Sequence, residues 1–233
     1  MSVFGKNESR TYFKIQHGKI VVTVSSDNLN LYEDLIQCAS KTEEITGKTN
    51  GKLYTEISMD NITAQLVSIA VKESTFGKTW NVTFLGDDGQ YYVWSTYYDG
   101  GLFQGFVNCL AGVEGDYGRI KIQPWQGPDK KGVLQTKISL SRNGEKMSWK
   151  YGIEDMPKIT PLKDEDGKDF IDDKTGQVKY NTKKRMMWLL ELVAEIQAKL
   201  GQQMPTEGEG GSVSTSNANA RPVAEAIVDE VPF

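Results

Sequence analysis

Residues 79–98 read TWNVTFLGDDGQYYVWSTYY, and the rest of the chain can be laid out from this stretch. Thr79–Gly86 alternates strictly. Trp80, Val82 and Phe84 fall to one side, Asn81 and Thr83 to the other. That is the period of a half-buried strand. Asp87–Gln90, DDGQ, carries the Asp-Gly pair of a tight hairpin turn. The second arm, Tyr91–Tyr98, is crowded with rings. With Val93 and Tyr91 turned to the core, alternation predicts that Tyr92, Trp94 and Tyr98 point outward.

Working outward, Asn61–Glu73 (NITAQLVSIAVKE) is a further strand feeding this hairpin. Asp99–Val113 (DGGLFQGFVNCLAGV) predicts a short helix with Leu102, Phe103, Phe106 and Leu110 inward. Strand alternation resumes in GRIKIQPW, where Ile120 and Ile122 oppose Arg119 and Lys121. It continues in GVLQTKISLSR through Leu134, Thr136, Ile138 and Leu140. A turn at NGEK leads to one extra strand in MSWKYG. The order is β-β-β-α-β-β, which is that of an oligonucleotide-binding (OB) barrel. Five short strands with a helix between the third and fourth also fit other small barrels and α+β sheets. The expected fold is mainly β: an OB-fold-like five-stranded barrel with added segments.

Those additions lie at both ends. Thr11–Val24 (TYFKIQHGKIVVTV) predicts an N-terminal hairpin turning at His17-Gly18. Asn30–Ile45 predicts a helix, and TGKTNGK a Gly-rich loop. After Gly152 the chain is charged and turn-rich, predicting a loop plus a hairpin. Thr182–Gly201 predicts a C-terminal helix, with Thr182 as N-cap, Gly201 as its close, and a stripe of Leu189, Leu192, Val193, Ile196 and Leu200. The following stretch, rich in Gly, Ser, Thr, Asn and Pro, has little to bury and is expected to be disordered. This divides the chain into a domain at 1–200, a linker at 201–224 and an acidic tip at 225–233.

Composition narrows the function classes. The chain has 233 residues and a formal charge of -4. All of that excess lies from Gly201 onward, leaving 26 basic and 26 acidic residues before it. A neutral body exerts no overall pull on polyanions, so any affinity for them must be local. Two cysteines and one histidine cannot assemble a four-ligand zinc site without carboxylates. Cys38 and Cys109 read as small core residues of a reducing compartment. The segments TGKT and FGKT fail as phosphate-binding loops, because Thr42 and Lys72 stand where the first glycine is required. His17, beside a turn glycine, reads as a turn residue rather than the base of a triad. No N-terminal signal or long apolar run is present, which predicts a cytoplasmic protein. No cofactor or metal is expected.

The informative region is basic and aromatic. Arg119–Tyr151 holds Arg119, Lys121, Lys130, Lys131, Lys137, Arg142, Lys146 and Lys150 against Asp129 and Glu145, a local excess of +6. Trp125, Trp149 and Tyr151 lie among them. Single-stranded nucleic acid requires this mixture, with cations for phosphates and flat rings for unpaired bases. The candidate binding residues are Tyr92, Trp94, Tyr98, Arg119, Lys121, Trp125, Lys131, Lys137, Trp149 and Lys150.

The chain ends VDEVPF. Asp229 and Glu230, then Val231, Pro232 and Phe233, resemble the acidic tip of bacterial single-stranded DNA-binding proteins. The arrangement of barrel, linker and tip is similar to that of the bacteriophage proteins of this kind. The resemblance implies a non-enzymatic protein of the host cytoplasm that coats single-stranded DNA. It also implies that the tip docks onto replication, recombination and repair proteins. Such a tip offers an apolar ring for a pocket and a carboxylate for an arginine. The apolar stripe Leu189–Leu200 could pack on the barrel or pair with another subunit as a homo-oligomer.

Two other readings stand beside this one. The acids Asp164–Asp173 could hold a divalent metal for nuclease chemistry, although their spacing fails the calcium-loop pattern, with Gly167 only three residues after Asp164. The chain could also be a protein–protein adaptor that binds no DNA.

Overall fold

The computed structural model describes residues 10–47, 51–75, 77–129, 132–173 and 176–203. Among the described residues, ten strands form one sheet. In chain order the strands are β1 (Arg10–Gln16), β2 (Lys19–Ser25), β3 (Lys41–Thr46), β4 (Leu53–Met59), β5 (Ile62–Ser74), β6 (Gly77–Leu85), β7 (Tyr91–Tyr97), β8 (Arg119–Pro128), β9 (Leu134–Arg142) and β10 (Glu145–Lys146). Their order across the sheet is β10-β9-β8-β5-β6-β7-β1-β2-β4-β3. All neighbours run antiparallel except β1 and β7, which are parallel. The architecture is mainly β, as expected, but the expected closed five-stranded barrel is not formed. The N-terminal hairpin β1–β2 is an integral part of the sheet, because β1 takes the free edge of β7.

The hairpin at 79–98 forms with Phe84 opposite Tyr92 and Val82 opposite Trp94. Strand β5 is long enough to serve two neighbours. Ile62–Gln65 pair with β8, and Gln65–Ser74 pair with β6, with a bulge between Leu66 and Ser68. A bulge sharpens strand twist. The β1–β2 turn lies against β8. A side chain at Gly18 would meet the backbone of Trp125 and Gln126 at about 3 Å, and Gly18 itself sits at φ +72°. Only glycine meets both demands.

Among the described residues, three α-helices accompany the sheet: α1 (Glu33–Gln37), α2 (Gly101–Ala111) and α3 (Lys183–Gln203). Helix α2 lies on the core face. Phe103 stacks on Trp80 with centroids 4.4 Å apart, and Phe106 meets Trp94 edge-on at 5.4 Å. Helix α3 packs on α2 and β5 through Met186, Leu189, Leu192, Val193, Ile196 and Leu200, all buried. The predicted stripe is thus the one buried. The helix does not stop at Gly201 but continues to Gln203.

Asn30–Ile45 departs from expectation. It folds as a 3₁₀ stretch (Ser26–Tyr32), the short α1, and then β3. Thr42, Ile45 and Thr46 are β-branched and suit a strand, and the edge of β4 supplies a partner. Strand β4 follows the Gly-rich loop where no strand is expected, although Thr55, Ile57 and Met59 alternate with Tyr54, Glu56 and Ser58. MSWKYG contributes no strand beyond β10. The charged region after Gly152 forms the small two-stranded sheet β11 (Thr160–Pro161) with β12 (Tyr180–Asn181). Among the described residues, no helix is long and apolar enough to cross a membrane.

Candidate nucleic-acid interface

The sheet has two unlike faces. The core face carries Phe13, Val22, Ile57, Val82, Phe84 and Trp94 beneath the helices. Residues on β8 and β9 with the opposite parity form the outer face: Arg119, Lys121, Gln123 and Trp125 on β8, then Lys137, Ser139 and Ser141 on β9. Register places Trp125 directly opposite Lys137 and Lys121 opposite Ser141.

Trp125 is the best-defined ring of this face. It is 45% exposed. Its benzene ring folds over Gly127, two residues along the strand and on the same face, where it fills the place of a side chain. Lys137 Nζ stands 5.0 Å from the indole centroid and donates a hydrogen bond to the Pro128 carbonyl at 3.1 Å. The arrangement is a flat apolar surface with a cation held against it. A cation over an indole is itself attractive, and both groups remain in reach of solvent.

Arg119 is held differently. Its guanidinium pairs with Asp87 of the β6–β7 turn and reaches the Thr63 carbonyl at 3.5 Å. Two further rings reach the outer surface. Tyr12 of β1 aligns with Val93 and is 41% exposed, and Tyr97 of β7 is 55% exposed. Neither is among the candidate binding residues expected from the sequence. Alternation of Tyr12, Lys14 and Gln16 against Phe13 and Ile15 was the available signal for the first.

Trp149 and Lys150 belong to another layer. Asn108, fully buried on α2, clips this segment down. Its Nδ2 donates to the Tyr151 carbonyl and its Oδ1 accepts from the Tyr151 N–H, both at 2.9 Å. The clip lays Trp149 over Gly105 of α2, with half of the indole exposed. Lys150 Nζ stands 5.2 Å from the Tyr151 ring. Trp149 therefore lies on the helix layer, not beside Trp125 on the outer face of β8.

Three of the expected rings need correction. Tyr92 and Trp94 do not point outward. They are 6% and 1% exposed, on the core face of β7. Trp94 packs on Phe106, and the Tyr92 hydroxyl donates to Asp88 at 2.5 Å. Burial, and secondarily the nearby Asp88 carboxylate, pushes the Tyr92 phenol well above its ordinary range. Tyr98 is half-buried, stacked on Trp80 at 5.2 Å, with Lys78 6.0 Å over it. Lys131 and the tip residues Asp229, Glu230, Val231, Pro232 and Phe233 lie outside the described residues, as does the linker beyond Gln203. Cys109 is buried as expected, but Cys38 is exposed.

Three acids of the nuclease reading, Asp164, Asp169 and Asp172, are engaged locally. Asp169 pairs with Lys163 at 2.5 Å and Asp172 with Lys179 at 2.8 Å. Asp164 Oδ1 accepts the backbone N–H groups of Asp166 and Lys168. Among the described residues, no three His, Cys, Asp or Glu side chains stand together as a metal site. The chain matches no family profile, no curated protein and no solved structure.

Proposed function

We propose that the protein binds single-stranded DNA without cutting it, and that its acidic C-terminal tip recruits partner proteins. The observation that carries the reading is the outer face of β8–β9. There Trp125 is pinned on Gly127 under Lys137, with Lys121 on the same face. An exposed indole beside cations matches the chemistry of unpaired bases and phosphates. A duplex has its bases stacked on one another and would leave the ring without a partner.

Topology supports the reading from a second side. Strands β5-β6-β7, helix α2, then β8-β9 follow the order of an OB fold, and β5 pairs with both β6 and β8 as the first strand of such a barrel does. The closing pair is missing because β1 occupies the edge of β7. In OB folds the second and third strands and the loop between the fourth and fifth contact oligonucleotides. The corresponding parts here are the outer face of β6–β7, with Tyr97, and the β8–β9 arm.

The role of Asp229–Phe233 rests on the sequence resemblance alone. An anisotropy titration with labelled oligo(dT), repeated with an unlabelled duplex competitor, tests the reading. Saturable binding that falls with salt and survives the duplex supports it. Failure to bind at low salt overturns it. Removing residues 225–233 should leave or raise DNA affinity while abolishing partner capture.

A further inference from the structure

The two edges of the sheet are built differently. At one end, β3 carries Lys41, Glu43 and Glu44 along six residues, and charge on an edge strand discourages addition of another strand. At the other end, β10 covers only the last part of β9, pairing at Ser141 and Arg142. The Met147 N–H then donates to the Leu140 carbonyl at 2.9 Å. This bond fixes parity: the backbone of Leu140 faces away from β8. Backbone groups alternate along a strand, so Ile138, Thr136 and Leu134 face the same open side. Among the described residues, no strand pairs with that side of Leu134–Ile138. The segment has no proline and no bulge, its ladder to β8 is regular from Ile120↔Arg142 to Pro128↔Leu134, and Lys137 is its sole charge.

We infer that this edge docks a second copy of the same chain, antiparallel, with Thr136 opposite the partner's Thr136. The sequence is self-complementary in that register. The open-side residues pair Leu134 with the partner's Ile138 and Thr136 with the partner's Thr136, both favourable cross-strand combinations. On the outer face Gln135 meets the partner's Lys137. A register centred one residue later would set Lys137 against the partner's Lys137, which is repulsive. Five residues of added ladder form a small interface, so the dimer is weak and grows with concentration. Its consequence is one sheet running through both copies, with a Trp125–Lys137 pair on each side of the seam. The inference does not depend on DNA binding and is tested without DNA.

The test uses the full chain carrying Cys38→Ser, since Cys38 is exposed and Cys109 is buried. Thr136→Cys places two thiols across the two-fold axis at about the Cα separation of a hydrogen-bonded pair, ~5.5 Å, within disulfide range. Under mild oxidation it should give a covalent dimer, whereas Thr42→Cys on the β3 edge should not. In sedimentation velocity the mass of the unmodified chain should rise with concentration. Gln135→Lys, which sets like charges across the seam, should hold it at the monomer mass. No cross-link at 136, equal cross-linking at 42, or a mass independent of concentration in the unmodified chain would overturn the inference.

Discussion

Trp125 lies on Gly127: the benzene ring of the indole occupies the space a side chain at 127 would need. The contact converts a flexible surface side chain into a ring of fixed orientation, with Lys137 held 5.0 Å from it. Gly127→Ala should displace the ring without straining the backbone, because Gly127 is not in the left-handed region. Affinity for oligo(dT) should fall towards that of Trp125→Ala, about 1–3 kcal/mol weaker than the parent. Melting temperatures of both variants should stay near that of the parent, since the ring is half exposed.

Trp94→Ala separates the core from the interface. The indole is 1% exposed and packed on Phe106. Its removal should cost about 3–5 kcal/mol of stability, as for other large-to-small core changes. Urea unfolding measures this directly, and a variant of near-parental stability would contradict the placement.

Lys121→Ala should act through phosphate alone. Binding should weaken uniformly across sequences, and the slope of log K against log salt should flatten by roughly one. Titrations at three salt concentrations are sufficient to measure it.

Alkaline pH should loosen the core. Burial, and secondarily Glu195, raises Tyr117 from 10.0 to about 12. Burial raises Cys109 from 9.0 to about 11, slightly opposed by Lys146. Each group is neutral in the fold and ionises more easily in the unfolded chain. Their contribution is therefore fully present below pH 9 and is lost as pH rises from about 9 to 12. Stability measured from pH 7 to 11 should stay level and then decline. In the native state a thiol reagent at pH 8 should modify exposed Cys38 and spare Cys109.

Much of this fold was legible, and the errors have physical causes. Strand β6 shows one apolar face, so its alternation alone identifies the buried side. Strand β7 does not, because Val93 on one side and Tyr92 and Trp94 on the other are all buried. Period alone cannot choose between two apolar faces. The hairpin could have, since the turn sets Phe84 opposite Tyr92 and opposed residues share a face. Strand β3 is hidden in the sequence because Glu43 and Glu44 suit a helix, and nothing local announces that β4 offers an edge. The missing barrel closure is a long-range event: β1 pairs with β7 across some eighty residues of chain. At the candidate site, the period of β8 and β9 placed Lys121 and Lys137 outward correctly. The separation of Trp149 from that face depends on Asn108, a polar residue inside an apolar helix whose partners only the fold reveals.

The most direct test is tryptophan fluorescence during oligo(dT) titration, comparing the parent with Trp125→Phe. Trp80 and Trp94 are each 1% exposed and shielded from bases, so quenching must come through the exposed indoles. The account predicts saturable quenching in the parent at low salt and loss of most of it in Trp125→Phe, with unchanged melting. Absence of quenching in the parent, or equal quenching in both proteins, would contradict it.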